Sequence, residues 1–290
     1  MKNTQEIRLF SIVKNEAARI PFFISYYQSL GVDKFIFIDN GSTDNTVTLI
    51  KTYKNTYCLQ TNAKYSYVTT QLINVVLEKY GRNHFCLVVD ADETLIFGDP
   101  GELTLRDLAQ YAIVTGADTY RAYLLDIYSD QPLSKTNVPL GSNPLEYCAF
   151  FDIKPKFTWK KDIEGGMRSR VFDLPTVSLT KNPFFFNNGK RITWGTHTIY
   201  PKKYADISLV LLHSKYVASF PAQVELEAKR KQHWNQAAEY VQYQKKASLG
   251  SLILKNEEST KYANYQQLIK LGLAKRSLRF WLYRKMPTLF

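Results

Sequence analysis

Phe35–Thr46, FIFIDNGSTDNT, and Leu87–Leu95, LVVDADETL, decide how this chain folds. Each is an apolar strand that runs straight into carboxylates and small polar residues. Open α/β sheets bind ligands where their strands end on the carboxyl side. Two such ends in one half of the chain point to a single site for a charged ligand, a diphosphate held by a metal.

The surrounding pattern agrees. Ile7–Val13 reads as a buried strand ending at Lys14-Asn15-Glu16, and Ile20, Phe23, Ile24, Tyr27 and Leu30 then recur at helical spacing up to Gly31. Ser42, Thr43 and Asp44 offer caps for a helix carrying Val47, Leu49 and Ile50. Tyr57–Gln60 is a third strand, Val68–Lys79 a helix, and Phe85–Val89 a fourth strand. Strands alternating with helices in this way predict an α/β fold, a doubly wound and mainly parallel sheet flanked by helices. Beyond Gly98 the pattern loosens. Leu103–Ile113 is expected helical, Thr119–Ile127 strand-like, and Gln131–Pro144 a loop. Phe150–Trp194 is aromatic with little periodicity; Ile207–Leu212 is a late strand; Ala222–Lys246 and Tyr265–Lys285 are expected helical.

The 290 residues suffice for a full hydrophobic core, and a content of 45% apolar and 22% charged residues is that of a globular protein. No apolar run reaches the roughly eighteen residues of a bilayer span. MKNTQEIRLFSIV lacks the succession of a secretory signal, and Cys58, Cys86 and Cys148 match no zinc spacing. Buried thiols in a reducing, cytoplasmic compartment are expected. The net charge of +12 is concentrated late: after Glu258 there is no acid, but Lys261, Lys270, Lys275, Arg276, Arg279, Arg284 and Lys285 are basic.

Asp90-Ala91-Asp92-Glu93 follows a strand directly, and hard carboxylate oxygens at alternate positions suit Mg²⁺ or Mn²⁺ bridging to phosphate. The plainer alternative is a strand end whose acids face water or cap a helix. The order strand–KNE–helix–strand–DNGSTD–helix–strand–DADE resembles that of family 2-like glycosyltransferases, in the branch with DNGSTD and a DxDE motif. The resemblance runs over Arg8–Leu95 and is sparse beyond. It implies a GT-A fold, a nucleotide-diphosphate sugar donor (a UDP-sugar) and Mn²⁺ or Mg²⁺. By position, Asp39 or Asn40, with Asp44 and the Lys14-Asn15-Glu16 turn, would face base and ribose; Asp90 would face ribose or donor sugar and stand near the metal; Asp92 would ligate it. Many relatives have a second aspartate where this chain has Asn40, whose amide can still pair with a base edge. Glu93 would ligate or hold neighbouring loops. The family tends to carry a histidine after a late strand, and Leu209–Tyr216, LVLLHSKY, fits, which implies His213 at the metal and Lys215 at the phosphates. His197 is the rival, and either could be a hydrogen-bonded structural histidine. Residues 1–220 are then the GT-A domain, 1–98 its nucleotide-binding half and 99–220 its acceptor half, with 221–290 a basic helical extension.

Asp162–Arg170, DIEGGMRSR, is the other dense polar cluster. Arg168 and Arg170 could clamp phosphates or an anionic acceptor. An inverting transfer needs a carboxylate to take the acceptor hydroxyl's proton, and Asp162 and Glu164 are the candidates. A surface loop with solvated charges is the alternative. Acceptor specificity is expected within Gln131–Gly166. In the tail, Leu271, Ala274, Leu278, Trp281 and Leu282 fall on one helical face flanked by cations. That helix is either an anchor on anionic lipid or a packed helix with a solvated basic face.

The expected activity is inverting transfer of a sugar to a saccharide or lipid-linked saccharide, in bacterial surface polysaccharide or lipooligosaccharide synthesis at the inner membrane face. Two other classes compete. Asp90–Leu95 also satisfies the DxDxTL pattern of haloacid-dehalogenase-like phosphatases, with Asp90 as nucleophile and Asp92 as acid, although that motif normally lies near the N-terminus and is followed by a late Asp pair that is missing here. A basic nucleic-acid-binding protein fits the charge alone, but the charge lies in the tail and no such module is present, so no nucleic-acid partner is expected.

Overall fold

The structure, a computed structural model, describes residues 6–153, 155–157, 163–246 and 248–286. Eight strands form one sheet: β1 (Ile7–Val13), β2 (Lys34–Asp39), β3 (Thr56–Gln60), β4 (His84–Val88), β5 (Glu93–Ile96), β6 (Thr119–Asp126), β7 (Thr180–Asn187) and β8 (Tyr204–His213). Their order across the sheet is β3-β2-β1-β4-β7-β6-β8-β5. The first four run parallel, as do β6 and β8. β7 is antiparallel to both its neighbours, and β5 is antiparallel to β8.

Alternation along the strands sets the layers. In β1 and β2, Leu9, Val13, Phe35 and Phe37 turn to one face, while Phe10, Ile12, Ile36 and Ile38 turn to the other. The helices are α1 (Ile20–Ser29), α2 (Thr46–Thr52), α3 (Ile73–Gly81) and α4 (Leu105–Thr115) in the first half of the chain. α1 and α4 cover the first face through Phe23, Ile24, Tyr27, Leu108 and Tyr111. α3 covers the second through Ile73, Val76 and Leu77. Each such buried side chain contributes about 1.5–3 kcal/mol. Thr104 and Asp107 form a capping box at the start of α4, and Gly116 ends it in the left-handed region at φ 67°. The result is the α/β fold, a largely parallel sheet flanked by helices, that the alternating pattern predicts.

Two strands escape the sequence pattern. β5 follows the acidic motif immediately. β7, TKNPFFFN, carries Pro183 in mid-strand and three consecutive phenylalanines, which no alternation rule reads as a central strand. A register shift between Lys181 and Phe184 accommodates the proline.

Later come α5 (Gly166–Phe172), α6 (Phe220–Arg230), α7 (Trp234–Gln244), α8 (Tyr265–Lys270) and α9 (Leu278–Lys285). The helix expected over 222–246 is therefore two, broken after Arg230 where Lys231 takes φ 51°. α6 and α7 pack around Tyr216, Phe172 and Tyr243 in a second core. The stretch 265–285 is likewise broken. Gly272 sits at φ 73°, and Ser208 N of β8 donates to Lys275 O at 2.9 Å. A bond to the sheet has replaced one within a helix. Tyr265, Leu268, Leu273, Ala274 and Phe280 join the main core. The predicted tail face is thus redistributed: Ala274 is buried outside α9, Phe280 is the buried residue of α9, and Leu278 and Trp281 face solvent.

Candidate functional site

The two N-terminal motifs brace each other. Asn15, at φ 55°, accepts from Thr43 N through Oδ1 at 2.7 Å and donates its own N–H to Ser42 Oγ at 2.9 Å. Glu16 N donates to Thr46 Oγ1 at 2.8 Å, Ala17 N to Asp44 Oδ2 at 3.2 Å, and Lys14 Nζ to Asn40 O at 3.3 Å. Asp39 is buried and accepts from Ser42 N at 3.3 Å. The Asn40 amide donates to Ala63 O at 2.8 Å, and its buried Oδ1 accepts nothing among the described residues.

Beyond this brace a cavity of about 530 Å³ opens at the carboxyl ends of β1, β4 and β8. That volume lies in the range of small-molecule sites. Lys14, Glu16, Asp90, Asp92, His213 and Lys215 line one side; Arg230, His233, Glu239 and Tyr240 of the α6–α7 pair close the other. The wall opposite the acidic loop is therefore built by α6 and α7, and no described residue of the 131–166 region, where acceptor specificity was expected, lines the cavity.

At the centre, His213 is fixed from both sides. Its Nδ1 lies 2.7 Å from Asp126 Oδ1 and its Nε2 3.3 Å from Asp92 Oδ2. Asp126 is in turn gripped by Arg168, whose Nε and Nη2 reach its two oxygens at 2.7 and 2.8 Å. Burial opposes charge on His213, but the Asp92 and Asp126 carboxylates outweigh it and push its pKa up to about 9. Asp92 is held well below the usual carboxylate range, because His213, Arg19 and Lys215 together overcome its burial. Beside it, Lys181 is wholly buried, with Nζ at 2.6 and 2.8 Å from the Glu93 oxygens and 3.1 Å from Asp90 Oδ2. Burial works against this ammonium too, yet the two carboxylates raise its pKa above that of an ordinary lysine. Glu93 Oε2 also accepts from Asp90 N at 2.8 Å, so Glu93 stiffens the acidic loop. Lys215 lies 3.6 Å from Glu239 and 4.5 Å above the Tyr240 ring.

The donor set suits a hard divalent cation shared with a substrate. Asp92 and His213, whose contact atoms stand 3.3 Å apart, would hold such a cation once the imidazole gives up its Nε2 proton. Asp126 on Nδ1 is placed where an outer carboxylate would orient such a histidine. Among the described residues no group of three or more His, Cys, Asp and Glu is placed to hold a metal alone. The remaining positions would thus fall to phosphate oxygens and water, the usual habit of Mg²⁺ and Mn²⁺ at diphosphates.

Of the residues singled out from sequence, Lys14, Asn15, Glu16, Asp90, Asp92, Arg168, His213 and Lys215 all line the cavity. Asp39, Asn40 and Asp44 do not line the cavity: Asp39 and Asp44 accept within the loop brace, and the Asn40 amide donates to Ala63 O. Arg168 and Arg170 diverge, since positions two apart on α5 do not share a face. Arg170 turns away to Asp152 Oδ2 at 2.8 Å and Leu254 O at 2.8 Å. Glu164 sits in a short ladder between 163–165 and 155–157 and does not line the cavity. Asp162 lies outside the described residues. His197 also lines the cavity, and burial beside Lys181 depresses its pKa to about 4. Asp126, Lys181, Arg19 and Glu239 were not legible as site residues. Asp126 had a signal, since TYRAYLLD is also an apolar strand ending in a carboxylate; Lys181 had none.

No family model and no curated protein matches the chain. Among solved structures, S. aureus TarS is similar at 20% identity over 43% of this chain and 22% of that one, with a TM-score of 0.33. Its 1–349 piece is similar at 14% identity over 82% and 71%, with a TM-score of 0.39. Glucosyl-3-phosphoglycerate synthase from Mycobacterium tuberculosis, solved with Mn²⁺, UDP and glucosyl-3-phosphoglycerate, is similar at 17% identity over 41% and 44%, with a TM-score of 0.30. The chain spans 22% of the TarS chain it matches. Likeness at this level leaves the fold to rest on this chain's own strand order and register.

Proposed function

We propose that the protein is a metal-dependent glycosyltransferase that moves a sugar from a nucleotide diphosphate, a UDP-sugar, to a saccharide acceptor with inversion. One observation carries this reading: Asp92 and His213 meet at the carboxyl edge of the sheet, backed by Asp126 and Arg168, inside a cavity large enough for a nucleotide sugar. Bound between Asp92 and His213, Mn²⁺ or Mg²⁺ would supply charge neutralisation for a diphosphate leaving group. The chain's own part is to hold that charge still. Asp126 and Arg168 keep His213 Nε2 aimed at Asp92, and Lys181 with Glu93 keeps the acidic loop from shifting. Lys14, Lys215 and Arg19 give the cavity fixed positive groups for phosphate. Work on a bacterial surface saccharide at the cytoplasmic face extends the sequence resemblance; no described helix is long and apolar enough to cross a membrane.

The test is Asp92→Ala. The unsubstituted protein should gain thermal stability with UDP plus Mn²⁺ and transfer sugar. The variant should still fold cooperatively but melt lower without ligand, since His213 and Arg19 lose a carboxylate, and it should lose the Mn²⁺-dependent shift and about a hundredfold or more of its turnover. An active, Mn²⁺-responsive variant refutes the assignment.

A further inference from the structure

α9 has two apolar sides, and only one of them is used by the fold. On the inner side the Phe280 ring meets Tyr111 of α4 edge-on at 4.9 Å, and Tyr283 lies 5.2 Å from the Tyr111 ring. At about 100° per residue, Leu278, Trp281, Leu282 and Lys285 fall on the opposite side. Leu278 is 72% exposed and Trp281 52%. Leu282 is half-buried, and Lys285 is exposed. Arg279 and Arg284 lie between the two sides, both exposed, and Arg284 reaches back to the Glu102 carbonyl at 3.3 Å.

Phe280 already docks the helix, so packing gives no reason for a leucine and a tryptophan to point outward. The surroundings say what would cover them. After Glu258 the chain carries no acid, and Lys270 and Lys275 are exposed just before the helix. A strip of Leu and Trp rimmed by Lys and Arg matches the headgroup boundary of an anionic bilayer, where the indole and aliphatic groups enter the acyl edge and the cations meet lipid phosphate. A soluble acidic protein would satisfy the cations but not the outward Leu278–Trp281 pair.

We propose that the outer side of α9, Leu278, Trp281 and Leu282 with Lys285, docks the protein on an anionic lipid surface. The inference adds a location to the proposed transferase function, and it is tested without donor or metal, so the two stand or fall separately.

The experiment is sedimentation of the full chain with vesicles of phosphatidylcholine alone or mixed with phosphatidylglycerol. The protein should pellet with the anionic vesicles, weakly or not at all with the neutral ones, and less at high salt. A double variant, L278S and W281S, should bind anionic vesicles about tenfold more weakly. Both substituted residues are exposed, so its thermal unfolding should match that of the parent. Failure of the parent to pellet with anionic vesicles overturns the proposal, as does a double variant that binds equally well. A parent that is dimeric by sedimentation and a double variant that is monomeric also overturn it, since the strip would then be a self-association surface.

Discussion

Lys181 sits where two carboxylates would otherwise repel each other. Asp90 and Glu93 both approach its ammonium, and no water-exposed surface of the lysine remains to soften its loss. Removing one partner of such a buried group leaves the others uncompensated, at a cost of about 3–5 kcal/mol. Lys181→Met is expected to lower the urea unfolding free energy by that amount. Adding Glu93→Gln should recover part of it, since the second variant removes one of the stranded charges; strict additivity of the two changes would argue against the coupling. Asp92 was a candidate from sequence because it follows an apolar strand, and His213, the last residue of β8, was one only through the resemblance. Lys181 was not, because its meaning lies in what stands across the sheet.

At the scale of elements, the turns after β1 and β2 act as one unit. Of the DNGSTD polar groups, Ser42, Asp44 and Asn40 serve the neighbouring turn or the chain after β3. The motif is therefore specific in sequence partly because it is a self-consistent scaffold. Asn40→Asp would place a carboxylate oxygen against the Ala63 and Thr61 carbonyls, where the amide now donates. A loss of about 1–3 kcal/mol is expected from chemical denaturation. Unchanged stability would mean that this contact does not constrain the turn. Helices α6 to α9 show the opposite limit of sequence reading. Their periodicity continues through 231–233 and 271–277, and the breaks come from a left-handed residue and a bond to β8.

For the whole molecule, the late segments are part of the packing. Tyr265, Leu268, Leu273, Ala274 and Phe280 complete the core under α4 and β8, and α6 and α7 close the cavity. At about 1.5–3 kcal/mol for each large apolar side chain, losing this group removes as much as a domain's typical net stability. A chain cut after Glu258 is expected to show no cooperative thermal transition by circular dichroism. A sharp transition near that of the intact chain would show the tail to be an attachment.

The sequence alone determined the alternation of strand and helix in the first hundred residues and the two acidic strand ends, because periodicity and turn chemistry are local properties. Only the tertiary structure decided which charge meets which. β7 enters antiparallel between β4 and β6, which brings Lys181 beside Asp90 and Glu93. The parallel register of β8 on β6 sets His213 level with Asp126, and β5 on its other side sets it level with Glu93. Strand order and register are settled by burial summed over the whole sheet, and no stretch of the chain carries that sum by itself.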